Sequence, residues 1–112
     1  MALPKKNRIA TKKEIDQVFR SGRTVKGSFL FIRFTGNQAG CSRFAFIVSA
    51  RNVPLAVDRN RVKRMFSEEV MKDRDSLKKE HDIVVTVFKK IGKNQFQHLA
   101  EELKEVLLKI QI

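Results

Sequence analysis

The chain has 112 residues, enough for one packed domain and too few for two, and its 42% hydrophobic content argues against disorder. Its net charge is +12, with 15 Lys and Arg against three acids in residues 1–64 and nine of each sign in residues 65–112. An excess confined to one half points to an anionic partner; a membrane is disfavoured, since Ala2 stands where myristoylation needs glycine, no terminal prenylation cysteine is present, and no apolar run approaches the ~20 residues of a span. Cys41 is the lone cysteine and the N-terminus lacks a signal-peptide core, so a reducing, cytoplasmic setting is expected.

Residues 1–10 read as an irregular basic arm. Thr11-Lys12-Lys13-Glu14 is a capping box opening a helix to about Arg20, with Ile15, Val18 and Phe19 on one stripe and Gly22 as its stop. Residues 28–35 form a Phe-rich strand, with Phe29, Phe31 and Arg33 on one face and Leu30, Ile32 and Phe34 on the other. A turn at 36–40 leads to a second strand at 42–50, apolar on both faces and therefore expected to be central. After a loop at 51–55, residues 56–72 read as a helix burying Val62, Met65, Phe66 and Val70, with Asn60, Lys63, Arg64 and Ser67 on the far side and Arg59 near the sheet. A polar connection at 73–81 precedes a buried strand at 82–88. An Asn94–Gln97 capping pattern then opens a last helix with Phe96, Leu99, Ala100, Leu103, Val106, Leu107 and Ile110 on its apolar stripe. Strand 42–50, the helix and strand 82–88 make a βαβ unit within an α/β (α+β) two-layer sandwich, a single domain over 1–112.

Arg59, Arg61, Lys63 and Arg64 place four cations within six residues. The plain alternative is a solvated helix face. Glu68 and Glu69 balance the cluster only in part, and like charges so close repel one another. Arginine gives forked contacts to phosphate oxygens, lysine a point charge, and Asn60 can bond a base edge, so the cluster reads as RNA-binding. A DNA-reading helix is disfavoured because the buried stripe leaves little for groove insertion. Protein-borne nuclease chemistry finds no strong constellation. His81 with Glu80 and Asp82, His98 with Glu101 and Glu102, the Asp73–Asp75 pair and Cys41 all read as surface groups.

Ala56-Val57-Asp58-Arg59-Asn60-Arg61-Val62-Lys63-Arg64 resembles the RNR signature of the bacterial ribonuclease P protein subunit, and the preceding Phe46-Ile47-Val48-Ser49-Ala50-Arg51 resembles the strand that leads to it. The basic arm, Val18-Phe19-Arg20-Ser21-Gly22-Arg23, the Phe-rich strand, Asp82-Ile83-Val84-Val85 and the closing helix stand in that family's order. The chain departs from the pattern in the loop, where Asn52 replaces a lysine and Pro54 a glycine.

The resemblance implies a protein cofactor of a catalytic RNA that removes the 5′ leader of precursor tRNA. On that reading magnesium is held mainly by the RNA, the protein supplies no catalytic groups, and the βαβ crossover is left-handed. It implies RNA contacts from Arg51, Arg59, Asn60, Arg61, Lys63 and Arg64, and a leader cleft walled by Ile15, Phe19, Phe31, Arg33 and Phe34. The residues themselves leave Phe19, Phe31 and Phe34 between core and cleft, and leave open which face of strand 28–35 lines it. A non-enzymatic RNA-binding module, such as a ribosomal protein or RNA chaperone, is the alternative function.

Overall fold

The computed structural model describes residues 3–9, 11–37, 40–73 and 80–110. In chain order its elements are a 3-10 turn at Lys5–Asn7, α1 (Lys12–Ser21), β1 (Arg23–Lys26), β2 (Leu30–Gly36), β3 (Arg43–Ile47), α2 (Ala56–Asp73), β4 (His81–Val87), a 3-10 turn at Lys93–Gln95 and α3 (Phe96–Lys109). The α+β class is as expected. The polar connection and the Asp73–Asp75 pair fall mostly on 74–79, outside the described residues.

Thr11 caps α1, its Oγ1 accepting from the Glu14 N–H at 3.2 Å, while its hydroxyl donates to the Glu14 carboxylate at 3.0 Å. The helix stops at Gly22, whose N–H donates to the Val18 carbonyl. A Cβ on Gly22 would collide with that carbonyl and come within 2.9 Å of the Phe34 carbonyl. Absence of a side chain is therefore what lets the end of α1 close onto β2. Gly22→Ala is expected to cost about 1–3 kcal/mol of stability, as overpacking does; a urea midpoint equal to that of the parent protein would show that the backbone shifts freely.

The sheet order is β1-β2-β4-β3, with β1, β2 and β4 antiparallel and β3 parallel to β4. Strands β3 and β4 with α2 form the expected βαβ unit. The second strand, expected to be central, is instead the edge strand, and β4 lies between it and β2. Its apolar faces are explained by what covers it. The N-terminal arm docks along that edge, with the Ile9 N–H donating to the Phe44 carbonyl at 3.0 Å and Leu3 and Ile9 buried. Within the arm, Lys5–Asn7 form a 3-10 turn and Arg8 bridges to Phe44, where the sequence suggested irregular chain.

Strand β1 has no counterpart in the sequence reading. Arg23-Thr24-Val25-Lys26 is largely exposed and polar, and an opposite edge strand needs little apolar content. The Phe-rich strand starts at Leu30, not Ser28, because a carboxylate intervenes. Glu102 of α3 accepts from the successive N–H groups of Ser28, Phe29 (3.1 Å) and Leu30 (3.0 Å).

Period-two alternation divides the sheet. Leu30, Ile32, Ile83, Val85 and Val87 face the main core with α2 and α3, whereas Val84, Ala45 and Ile47 face α1 through Val18, Ile15 and Phe19. Helices α2 and α3 therefore form one full layer, and α1 covers part of the opposite face. On α2 the buried arc is Val62, Phe66, Ser67 and Val70, with Met65 half-buried. Ser67, expected on the far side, is buried because α2 packs on α3 as well as on the sheet, and its hydroxyl donates to the Lys63 carbonyl at 2.9 Å. The α3 stripe is as expected in Phe96, Leu99, Leu103, Val106 and Leu107. Its start differs: Gln95 Oε1, not an Asn94–Gln97 pair, accepts from the Gly92 N–H at 3.2 Å. Among the described residues no helix is long and apolar enough to cross a membrane.

Candidate nucleic-acid interface

The sheet register decides which aromatic rings lie beside α1. Phe31 pairs with Thr86, Arg33 with Val84, and Val84 packs on Val18, so Phe31 and Arg33 share the α1 side with Ile15 and Phe19. Phe34 does not join them. It packs against the main core, its ring 5.7 Å from that of His81.

Beyond α1 this face remains open. Phe31 and Phe88 lie 5.9 Å apart, centre to centre, and both are half-buried. Lys26 Nζ stands 4.8 Å from the Phe88 ring centre and Lys89 Nζ 5.5 Å. Two rings flanked by two ammonium groups give a base-stacking platform with cations for a backbone. Phe88, Lys26 and Lys89 were absent from the sequence-derived set. A signal existed for Phe88, which has the strand parity of Val84 and Thr86. None existed for Lys26, because β1 itself was not foreseen.

Arg33, odd in an apolar strand, clamps α1. Its Nη2 donates to the carbonyls of Phe19 (2.5 Å) and Gly22 (3.0 Å), its Nη1 to Thr24 Oγ1 (3.0 Å), and its guanidinium carbon lies 5.7 Å from the Phe19 ring centre. The other end of α1 is held in the same manner. Arg43 makes a forked pair with Asp82 (2.8 and 2.7 Å) and reaches Glu14 with Nη1 at 2.6 Å; Asn37 Nδ2 completes the Asp82 carboxylate at 2.7 Å. The hydrogen bonds to Asp82 hold the Arg43 guanidinium above its usual range.

The Thr11 hydroxyl, and after it Arg43, lower the Glu14 carboxyl from 4.5 against the opposing effect of partial burial. A lowered folded-state pKa adds stability that is present above the unfolded value and lost as pH falls through the folded one. Thr11→Ala is therefore expected to flatten the acid limb of stability, read from urea midpoints between about pH 6 and pH 3. An identical limb in the variant would show that the Thr11 hydroxyl does not act on Glu14.

On α2, Asn60, Arg61, Lys63 and Arg64 are exposed, as is Arg51 at the loop start. Arg59 is half-buried and turned back onto the loop, its Nη1 donating to the carbonyls of Val53 (2.9 Å) and Pro54 (2.8 Å). The loop's departures are built in: the Asn52 amide donates to the Val87 carbonyl at 2.9 Å, and the Asn52 carbonyl accepts from the Ile91 N–H. Arg59 and Asn52 thus shape the loop that carries Arg51.

The carboxylates are engaged elsewhere. Asp82 serves Arg43 and Asn37, Glu102 serves three backbone N–H groups, and the His98–Glu101 pair is 3.9 Å apart and exposed. Among the described residues no group of three or more His, Cys, Asp or Glu is placed to hold a metal ion.

This fold and these two surfaces define a class: a small α+β protein that exposes cations and aromatic rings, the side chains that nucleic-acid recognition calls for. The ribonuclease P family model matches residues 3–111, and the chain belongs to that family. It is 35% identical over 107 residues to the ribonuclease P protein component of Syntrophomonas wolfei, covering 96% of this chain and 89% of that one. It is 31% identical to the component from Pseudanabaena sp., covering 98% and 96%. In fold it is similar to a Staphylococcus aureus RNase P protein mutant with defective mRNA degradation activity (TM-score 0.81, 22% identity, 96% and 90% covered). It is likewise similar to the RNase P protein from Thermotoga maritima (TM-score 0.71, 21% identity, 93% and 94% covered). The chain is accordingly a subunit of a ribonucleoprotein endoribonuclease of tRNA processing, and its partner in that assembly is RNA.

Proposed function

We propose that the chain binds the catalytic RNA of ribonuclease P through α2 and the 5′ leader of precursor tRNA along the open sheet face, assisting magnesium-dependent removal of the leader without supplying catalytic groups. The observation that carries the reading is the Phe31–Phe88 platform between Lys26 and Lys89, beside the wall made by Ile15 and Phe19. Leaders differ in sequence, so their binding calls for stacking, which every base allows, and for phosphate contacts. Arg33 and Arg43 hold α1 at both ends and so set where that wall stands. Arg61, Lys63 and Arg64, exposed on the opposite layer of the molecule, suit a folded RNA. The magnesium ions belong to the RNA in this proposal. One cysteine, half-buried Cys41, is in keeping with a cytoplasmic setting.

The test is reconstitution with a bacterial ribonuclease P RNA at low magnesium. Restored 5′ cleavage is expected, with tighter binding of leader-bearing than of leaderless tRNA; equal affinities without rescue would overturn the proposal. Arg61→Ala and Arg64→Ala are each expected to weaken binding of the catalytic RNA and to reduce its logarithmic salt slope by about one unit per lost phosphate contact. An unchanged slope would place those guanidinium groups away from phosphate.

A further inference from the structure

Arg61 projects from α2 toward a groove of about 440 Å³ lined by Arg61, Met65, Lys93, Asn94, Phe96 and Gln97. It lies between α2 and the start of α3, on the layer opposite the stacking platform. Its walls combine three chemistries. Arg61 and Lys93 are exposed cations from separate elements, and the described residues that line the groove include no carboxylate. Asn94 and Gln97 are exposed amides, each offering a donor and an acceptor. Half-buried Met65 and buried Phe96 form an apolar floor. Among the described residues no hydrogen bond or ion pair ties down the side chains of Arg61, Lys93, Asn94 or Gln97.

A cationic rim alone fits any anion. A rim beside paired amides over a flexible thioether fits a nucleotide, whose phosphate, base edge and base face need those three kinds of partner. An acidic peptide would use the cations and leave the amides and the floor idle. We propose that this groove takes a single unstacked nucleotide of the RNA partner, its phosphate against Arg61 and Lys93, its base edge at Asn94 and Gln97, and its face over Met65. The proposal rests on α2 being the RNA-facing helix. It adds that the contact is a base-holding pocket and not only a phosphate stripe.

The test uses the full-length, isotope-labelled protein titrated with inorganic phosphate, with uridine and adenosine monophosphates, and with an acidic peptide, followed by amide and side-chain resonances. Nucleotides are expected to shift Lys93, the Asn94 and Gln97 amide groups and the Met65 methyl, with phosphate shifting only the cations. Equal shifts from phosphate, or from the peptide, would reduce the groove to a general anion site and overturn the proposal. Shifts confined to the Phe31–Phe88 platform would overturn it while leaving the leader reading intact.

In reconstituted holoenzyme, the Asn94→Ala/Gln97→Ala variant is expected to bind the catalytic RNA about tenfold more weakly, the effect of roughly two lost hydrogen bonds. It should leave both the salt slope and the discrimination between leader-bearing and leaderless tRNA unchanged. Both substitutions are at exposed positions, so the fold is retained. An unaltered affinity would overturn the pocket, and a lost leader discrimination would move these amides to the substrate.

Discussion

Phe88→Ala is expected to weaken binding of leader-bearing precursor tRNA by about 2 kcal/mol, close to thirtyfold, and to leave leaderless tRNA unaffected. The size follows from the position of the ring. It is half-buried on the open sheet face, tilted by 39° against Phe31, and bracketed by Lys26 and Lys89. A base stacked there gains the ring face, and its phosphates gain two cations held close to it. Truncation removes the stacking partner and frees both lysines. The backbone contact is kept, since the Phe88 N–H donates to the Phe29 carbonyl whatever the side chain. Phe88→Leu serves as the control, because it restores apolar bulk without a π face and should recover stability but not leader affinity. Binding titrations with both tRNAs check this, and a matched loss on the leaderless one would return Phe88 to the core.

Asp82→Ala is expected to cost about 3 kcal/mol of stability, the usual order when one partner of a buried pair is removed and the other is left charged. Asp82 is only 7% exposed and receives both arms of the Arg43 fork together with the Asn37 amide. Three hydrogen bonds are lost at once. Arg43 also holds Glu14, so the loss extends to the N-terminal end of α1. The variant should unfold at lower urea and, through the displaced wall, lose leader affinity beyond what its folded fraction explains. A double-mutant cycle with Arg43→Met separates the pair from its parts, since removing both charges leaves neither uncompensated. A loss below about 1 kcal/mol would mean that the network is as weak as an exposed ion pair.

Much of this was legible in the chain. The α3 stripe, the Thr11 cap and the Gly22 stop follow from local periodicity and capping chemistry, and the structure has them where they were expected. The alternation Phe31, Arg33 against Leu30, Ile32, Phe34 was also legible, but not which set faces α1. That required a partner strand. Only the pairing of Arg33 with Val84, and of Val84 with the α1 core, assigns the face and removes Phe34 from it. Arg33 and Arg59 illustrate a second limit. Both read as candidate RNA contacts, yet their guanidinium groups donate to carbonyls of α1 and of the loop. Charge type shows in a sequence; the identity of its acceptor does not.

The charge asymmetry that first suggested an anionic partner also changes meaning in three dimensions. Residues 65–112 are neutral in sum. Even so they place Lys89 beside Phe88 and Lys93 opposite Arg61, so both candidate surfaces draw on the neutral half.

By itself the sequence determined the helices and their buried faces, the strand parities, and the Arg-Asn-Arg-Val-Lys-Arg signature that places the chain in its family. These properties depend on residues within a few positions of one another, which is the range over which backbone period and side-chain chemistry act. Only the tertiary structure decided that β4 runs between β2 and β3, that the N-terminal arm seals the β3 edge, and that Lys26, Phe31 and Phe88 meet on one face. Those outcomes depend on hydrogen bonds and burial between segments dozens of residues apart. A strand's own pattern says which residues share a face, whereas its neighbours are selected by the sheet as a whole.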